Sequence, residues 1–419
     1  MDKMECAAAE WDYAIAIRRC LHRQPELSNE EFSTMALIKQ ELTSFNVPYV
    51  DVEKGGILAE LCGAKKGKTV LLRADIDALP IGESADNPAE PRACVSMVSG
   101  VSHMCGHDCH TAMLLAVAKI LAPRRAEFSG RVLCVFERGE ELTENSYYLL
   151  KYLLEREHVD ACWAVHMDPQ LETGLIGIQS GAVMAGMSSF QVRLTGRGGH
   201  GSDPSEASNP IDCFSAICGA LNEMRMREIS PQSGFSCSIC TVESGTKCNI
   251  IPEELTFSGT ARFFDQAEVG NHFSGAFHRI CNAMAAAYRC RAEFLEFMEP
   301  SAPVCNHPAC AELARTFVGE AIGMERVTQI KPKMGGDSMA EFQLFYPGVY
   351  AFLGTKNLQK GCGAELHSSR FDVDEDSLRY GIAATLAYAL GMLQTETPIA
   401  FMPYKGSLRA LFTDMVDRI

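Results

Sequence analysis

The chain has 419 residues, of which 47% are hydrophobic and 22% are charged, and its 34 Gly and 18 Pro are spread along its length. This composition is typical of a folded globular protein and excludes collagen-like, fibrous and disordered chains. The net charge of -15 would repel a phosphate backbone, and no apolar stretch reaches the ~20 residues of a membrane helix, so neither nucleic acid nor a membrane is expected as a partner.

The first predicted helix begins at Ser28 and runs to about Phe45, because Ser28-Asn29-Glu30-Glu31 has the form of a capping box. Short apolar or β-branched runs follow at 56–61, 69–74, 131–136 and 160–165, with helical stretches at 110–121 and 147–157. Strands that alternate with helices are typical of a parallel sheet with helices on its faces. The sequence therefore predicts an α/β fold with a mostly parallel, helix-covered sheet.

A different order of elements begins after Gly181. Strands are predicted at 190–195, 235–243, 254–263 and 291–297, and helices at 209–227 and 268–288. This βαββαβ order is that of a ferredoxin-like α+β unit. The chain then returns to the first pattern, with a helix at 308–322, a strand at 349–353 and a helix at 374–393. We therefore expect a discontinuous catalytic domain at 1–184 and 298–419, and an inserted lid domain at 185–297.

The cysteines bear on the cellular compartment. The chain contains 18 of them, scattered rather than paired in short motifs, and its first residues carry no apolar signal segment. This pattern favours reduced thiols over a disulfide framework. A cytoplasmic location is therefore expected.

Polar residues follow the predicted strands, and their types suit a metal site. These residues are Asp75, Asp77, Glu140, Glu141 and His166, and a loop at 103–110 adds Cys105 and His107. Cysteine, histidine and carboxylate side chains bind first-row transition metals, and ligand sites in α/β sheets lie at the carboxyl ends of strands. Each signal alone also fits an ordinary loop or surface residue. Their occurrence together, each at a strand end, favours a metal site.

Seven separated motifs carry a resemblance to a known family. They are RADIDALP at 73–80, HMCGHD at 103–108, EE at 140–141, VH at 165–166, GGH at 198–200, NIIP at 249–252 and LHS at 366–368. In this order they resemble the aminoacylase/carboxypeptidase metallopeptidase family, peptidase family 20 of the metallo class. The amidohydrolase branch, with its hippurate, N-acyl-amino-acid and auxin-conjugate hydrolases, is the most similar. The resemblance covers about residues 17–393.

The resemblance implies a site for two divalent metal ions. Its ligands would be Cys105, His107, Glu141, His166 and His367. Zn, Mn, Co or Ni would suit such a mixed site, and the ligands do not distinguish among them. Glu140 would be the general base, and Asp77 would orient a ligand histidine. Asp75 stands where other branches place a metal-binding histidine, a role that Cys105 takes over in this branch.

The resemblance also implies roles for the inserted domain and a function for the whole chain. His200 would stabilise the oxyanion, and Asn249 and Arg262 would hold the substrate carboxylate. The function implied is a two-metal-dependent amidohydrolase that cleaves N-acyl amino acids or similar small amides with a free carboxylate. The alternatives are a dipeptidase or aminoacylase-like carboxypeptidase, and a non-catalytic relative that binds a metal or ligand. The inserted domain would also pair two subunits into a homodimer.

Three segments depart from the usual motifs of that family. Its usual Gln-Pro-Ala before the glutamate pair is Glu137-Arg138-Gly139 here, and Ser205 replaces a histidine after the proline that follows His200. Its Glu-Asp-Phe motif appears within Gly336-Asp337-Ser338-Met339. None of these residues is an implied metal ligand. The departures therefore leave the substrate pocket, and with it the acyl group and the amino acid, unassigned.

Overall fold

The computed structural model describes residues 1–89, 91–142 and 145–412. It forms two compact units, the first at Met1–Gly181, Cys305–Lys331 and Asp337–Ile419, and the second at Ala182–Val304 and Pro332–Gly336. The short return of 332–336 to the second unit is not anticipated by the sequence. Lys333 N donates to Val183 O at 2.9 Å, and Ala185 N donates to Gly335 O at 2.8 Å, so backbone pairing places this segment there. Residues 413–419 of the predicted catalytic domain lie outside the described residues.

The first unit contains most of the helices and strands. In chain order they are α1 (Lys3–Ala9), α2 (Trp11–Arg23), α3 (Phe32–Ser44), β1 (Tyr49–Val52), β2 (Gly56–Cys62), β3 (Lys65–Asp75), α4 (His107–Leu121), β4 (Ser129–Glu137), α5 (Ser146–Arg156), β5 (Ala161–Glu172) and β6 (Ile176–Gly177). After β7 (Gly181–Met184), the second unit contributes β8 (Gly186–Thr195), β9 (Gly199–His200), α6 (Pro210–Arg227), β10 (Phe235–Ser244), β11 (Ile250–Ile251), β12 (Glu254–Phe263), α7 (Asn271–Ala287) and β13 (Arg291–Phe297). The chain continues with β14 (Val304–Asn306), α8 (Pro308–Ile322), β15 (Val327–Thr328), α9 (Met339–Phe345), β16 (Gly348–Lys356), α10 (Ser377–Gln394) and α11 (Leu408–Leu411).

An eight-stranded sheet forms the centre of the first unit, in the order β1-β2-β4-β3-β5-β16-β6-β15. The central pairs β4–β3, β3–β5 and β5–β16 are parallel, and β1 and β2 pair antiparallel at one edge. Helices α4 and α10 are buried along almost their whole length and pack against α2 and α8 as well as the sheet. The predicted α/β fold with a mostly parallel, helix-covered sheet is confirmed.

The start of α3 differs from the predicted capping box. The helix begins at Phe32, and the Glu26 carboxylate accepts hydrogen bonds from Ser33 N at 2.9 Å and Thr34 N at 2.8 Å. Ser28 instead donates its hydroxyl to Asp77 Oδ2 at 2.7 Å. A distant buried carboxylate therefore takes the hydroxyl that local spacing assigns to the cap, and Glu26 supplies the first turn in its place.

The second unit has the predicted βαββαβ order. Its antiparallel sheet runs β10-β12-β8-β13, the strand order of a ferredoxin-like unit, and α6 and α7 pack on it. A phenylalanine-rich core fills the space between the helices and the sheet. This unit is therefore a small α+β domain with its own hydrophobic core.

Within the described residues, no helix has the length and apolar character that a membrane crossing requires.

Candidate metal centre

The cluster of polar side chains in the first unit is built at the ends of β3 and β4 and at the middle of β5. Asp75 is the last residue of β3, Asp77 follows two residues later, and Glu140 follows β4. His166 lies within β5, and its Cα partner on the neighbouring strand is Phe352. Because these strands are parallel neighbours, their carboxyl ends present these side chains to one region.

Five residues implied as metal ligands come together in the first unit. Cys105 Sγ lies 3.4 Å from His166 Nε2, and His367 Nε2 lies 3.4 Å from Glu141 Oε1. His107 Nε2 lies 4.0 Å from the same Glu141 oxygen. These residues form two groups that share Cys105. One group adds His107 and His166, and the other adds Glu141 and His367. Within each group the possible ligand atoms lie within 4.8 Å of one another.

The polar atoms of this cluster fit a bound metal. His107 Nε2 and Glu141 Oε1 are buried and have no hydrogen-bond partner among the described residues. Leaving such atoms unpaired costs ~1–3 kcal/mol each. The donor set of thiolate, imidazole and carboxylate suits a divalent transition metal.

Hydrogen bonds outside the cluster orient the two buried imidazoles. Asp77 Oδ1 accepts from His107 Nδ1 at 3.0 Å, and the Met167 carbonyl accepts from His166 Nδ1 at 2.8 Å. Both rings therefore carry their proton on Nδ1 and direct the Nε2 lone pair into the cluster. Burial alone would raise the pKa of Asp77, but its hydrogen bond with His107 holds that pKa below the usual value.

Asp75 and His110 form a hydrogen bond with each other and are not free to bind a metal. Asp75 Oδ1 accepts from His110 Nδ1 at 2.5 Å, and Asp75 Oδ2 accepts from Arg73 Nη1 at 2.8 Å. His110 Nε2 in turn accepts from Met167 N at 3.1 Å. Because both ring nitrogens of His110 are engaged, the group of Asp75, His107 and His110, although close enough to hold an ion, does not offer three free ligand atoms.

Glu140 lies beside the implied metal ligands and is only 7% exposed. A carboxylate oxygen of Glu140 and the ligand atoms of His107 and Glu141 lie within 4.8 Å of one another. Its Oε1 accepts a hydrogen bond from Ser338 N at 3.2 Å. Burial, together with nearby Asp337, raises the pKa of Glu140 well above the usual value for a glutamate. The carboxylate is therefore a stronger base than an exposed one.

Two backbone positions with positive φ shape the site. Gly106 has φ +91° and lies between Cys105 and His107, and a Cβ there would lie 2.8 Å from Met167 Cγ. His367 has φ +59°, a conformation that few non-glycine residues adopt. Its backbone N–H donates to Met104 O at 2.8 Å, which ties the His367 segment to the loop that carries Cys105.

The three site residues predicted in the inserted domain belong to the second unit. His200 in β9 pairs with Ile250 in β11, and Gly201 N donates to Asn249 O at 2.9 Å. His200 therefore lies on β9, and Asn249 lies in the turn that precedes its partner strand β11. Arg262 lies on β12 and is half-buried, which lowers its pKa.

The structure assigns contacts to two residues that sequence reasoning left without a role. Arg73, 5% exposed, donates to Asp75, to Glu137 Oε2 at 2.6 Å and to Ser338 Oγ at 2.7 Å. An arginine within an apolar strand is the signal that could have indicated buried acidic partners. His22 bridges two buried carboxylates in the first unit, and nothing in its local spacing indicates this.

Comparison with known proteins agrees with this geometry. The profile of Peptidase family M20/M25/M40 matches residues 71–390. Thermostable carboxypeptidase 2 of Saccharolobus solfataricus is 35% identical over 90% of this chain and 94% of its own, and N-acetylcysteine deacetylase of Bacillus subtilis is 32% identical over 91% and 97%. The crystal structure of a Bacillus subtilis protein described as a dinuclear metal binding peptidase from the M20 family superposes with a TM-score of 0.79, 29% identity and coverage of 93% and 99%. The chain therefore belongs to peptidase family M20/M25/M40, and it is a metal-dependent amidohydrolase.

Proposed function

We propose that this protein uses two divalent metal ions to hydrolyse the amide bond of N-acyl amino acids, or of similar small amides with a free carboxylate. The observation that carries the proposal is the position of Glu140, buried beside His107 and Glu141. A hydrolytic site needs a base at the metals as well as ligands for them. The N-acetylcysteine deacetylase relative supports an N-acyl amino acid as the substrate.

In the first unit, one set of residues would bind the metal ions and Glu140 would act as the general base. Cys105, His107, Glu141, His166 and His367 would hold the ions. Bound there, the ions would polarise the amide carbonyl and lower the pKa of a water molecule. Glu140 accepts the proton of the attacking water and delivers it to the leaving nitrogen. Because Oε1 already accepts a hydrogen bond from Ser338 N, we assign the transferred proton to Oε2.

The second unit would supply the remaining contacts to the substrate. His200 is exposed, and its Nδ1 accepts from Ser202 N at 3.1 Å, so we place its proton on Nε2. We assign this N–H to the developing oxyanion. Asn249 and Arg262 are assigned to the substrate carboxylate, for which a guanidinium and an amide are suitable donors. The prediction for Arg262→Ala is a raised KM for substrates with a carboxylate, at unchanged metal content.

A metal-reconstituted assay tests the function. Metal-free protein is loaded with Mn, Zn, Co or Ni and given N-acetyl amino acids, N-benzoyl amino acids and dipeptides while free amine is measured. We expect turnover that chelator abolishes and that Glu140→Gln lowers by ~10²–10⁴-fold with metal content unchanged. Glu30→Gln, at an exposed glutamate, is the matched control and should keep full activity. Turnover that persists in Glu140→Gln would contradict the assigned base.

The same panel separates the alternatives. A dipeptidase or carboxypeptidase activity is supported by the carboxypeptidase relatives, which are 35% identical, and it would appear as preference for dipeptides over N-acyl amino acids. A non-catalytic relative would bind metal and release no amine from any substrate. The ranking of the substrates therefore decides between the two enzymes, and the absence of all turnover would exclude both.

We also propose a cytoplasmic homodimer. Buried cysteines such as Cys109, Cys134 and Cys162 are free thiols, which suits a reducing compartment. In the second unit, β10 and β13 are the edge strands of the sheet, and β10 is largely exposed. An exposed edge can pair with its own copy about a two-fold axis. Light scattering after size exclusion should give twice the chain mass of 45.8 kDa, and a monomeric mass would contradict the dimer.

A further inference from the structure

Two of the segments that depart from the usual family motifs meet in one buried hydrogen-bond network. Ser338 Oγ donates to Glu137 Oε1 at 2.8 Å. Arg73 closes the network by donating Nε to Glu137 Oε2 at 2.6 Å and Nη2 to Ser338 Oγ at 2.7 Å. Glu137 and Ser338 are both 0% exposed. The hydroxyl of Ser338 thus acts as donor and acceptor at once, which an alanine could not do.

The Ser338 backbone is held on its other side as well. Asp337 Oδ1 accepts from Met339 N at 2.7 Å, and Asp337 Oδ2 accepts from Tyr350 OH at 2.6 Å. Arg73 Nη1 also lies 3.2 Å from Asp337 Oδ1. Side chains from two strands therefore fix the direction of the backbone at 337–339.

This network reaches the proposed general base through one atom. Ser338 N donates to Glu140 Oε1 at 3.2 Å, and within the described residues it is the one hydrogen bond made to this carboxylate. The rotation of the Glu140 carboxylate consequently depends on where Ser338 N points. Two of the proposed ligands have separate orienting partners, since His107 is held by Asp77 and His166 by the Met167 carbonyl.

We infer that Ser338, anchored by Glu137 and Arg73, is a positioning residue that holds Oε1 of Glu140 and so leaves Oε2 facing the attacking water. This inference rests on the proposed function, because it assigns Glu140 as the base. Misplacing a base by about 1 Å can cost ~10²-fold in rate. The network orients the base and is not assigned to substrate binding, so its loss should act on kcat rather than KM.

Ser338→Ala tests the inference because it removes the hydroxyl and keeps the backbone N–H. We expect kcat to fall by ~10-fold or more, with KM and metal content unchanged. Ser377→Ala is the matched control, since Ser377 is 0% exposed and its hydroxyl has no hydrogen-bond partner among the described residues. Glu137→Gln keeps the shape of the network and removes the charge that orients the Ser338 hydroxyl, so it should also lower kcat. This second variant keeps the inference testable if Ser338→Ala fails to fold.

A double-mutant cycle with Glu140→Gln separates positioning from a general loss of structure. If Ser338 acts through Glu140, the Ser338→Ala change should have no further effect on the residual kcat of Glu140→Gln. An equal loss in both backgrounds, or an unchanged kcat in Ser338→Ala, would overturn the inference. Crystal structures of the wild-type and Ser338→Ala proteins give a readout that needs no turnover. An unmoved Glu140 carboxylate would overturn the positioning role, whereas the lack of metal-dependent turnover in the wild type would overturn the proposed function instead.

Discussion

Replacing Asp77 by asparagine tests how the ligand histidine is oriented. Asp77 Oδ1 accepts from His107 Nδ1 at 3.0 Å, and Oδ2 accepts both from Ser28 Oγ at 2.7 Å and from Glu141 N at 3.0 Å. An asparagine of the same shape accepts hydrogen bonds on one side only. Because two donors point at the Oδ2 position, we expect the amide oxygen to occupy it and the amide NH₂ to face His107.

The cost follows from the tautomer of that histidine. With an NH₂ group opposite Nδ1, His107 would carry its proton on Nε2, the atom that faces Glu141 Oε1 across 4.0 Å. A protonated nitrogen does not bind a metal. Loss of such an orienting partner typically costs ~10–100-fold in metal affinity, or ~1.4–2.8 kcal/mol. We expect the upper end here, because Asp77 is only 1% exposed and water does not replace its carboxylate.

Competition between the protein and a chelating dye for Zn or Mn measures this change directly. The dissociation constant of Asp77→Asn should rise by about 30–100-fold, and kcat should recover in part when metal is in excess. Asp51→Asn is the control, because its exposed carboxylate pairs with Lys39 at the surface. Dissociation constants equal to those of the wild type would refute the assigned tautomer and the orienting role of Asp77.

Three further substitutions test the local structure. Gly106→Ala places a Cβ 2.8 Å from Met167 Cγ at a residue with φ +91°. We expect this variant to lower the free energy of unfolding by about 1–3 kcal/mol, measured by urea unfolding. It should also weaken metal binding, measured by dye competition. Glu26→Ala removes both side-chain bonds to the first turn of α3 and should cost about 1 kcal/mol with metal affinity unchanged; an unchanged urea midpoint would refute this cap. Burial and a neighbouring arginine lower the pKa of His22, but the two carboxylates in contact with it raise that pKa above its ordinary value. The stabilisation from His22 is therefore fully present below about pH 6.5 and is lost as the pH rises through the raised pKa, so urea unfolding should show a slope in this range that His22→Gln lacks.

Much of the architecture is a local property and could be read from the chain. The order of strands and helices follows from apolar periodicity, and the ferredoxin-like order of the second unit was predicted from it. The predicted capping box at Ser28 was wrong. Local spacing shows that the Ser28 hydroxyl could cap the helix, but it does not show that a distant side chain forms a hydrogen bond with the same hydroxyl. Here the buried carboxylate of Asp77 takes the hydroxyl. The return of 332–336 to the second unit was missed for a similar reason, since it depends on backbone pairing with residues about 150 positions earlier in the chain.

The sequence by itself determined the chemical types at the site, because ligand identity resides in the residues and their motifs. Only the tertiary structure decided which atom of each residue is free. Asp75 and His110 offered suitable ligands by type, yet they satisfy each other and Arg73. Glu137 and Ser338, 201 positions apart, depart from the family motifs separately in the sequence and become hydrogen-bond partners in the fold. The physical reason is that a hydrogen bond depends on distance and direction between atoms, and these are set by the packing of elements distant in the chain.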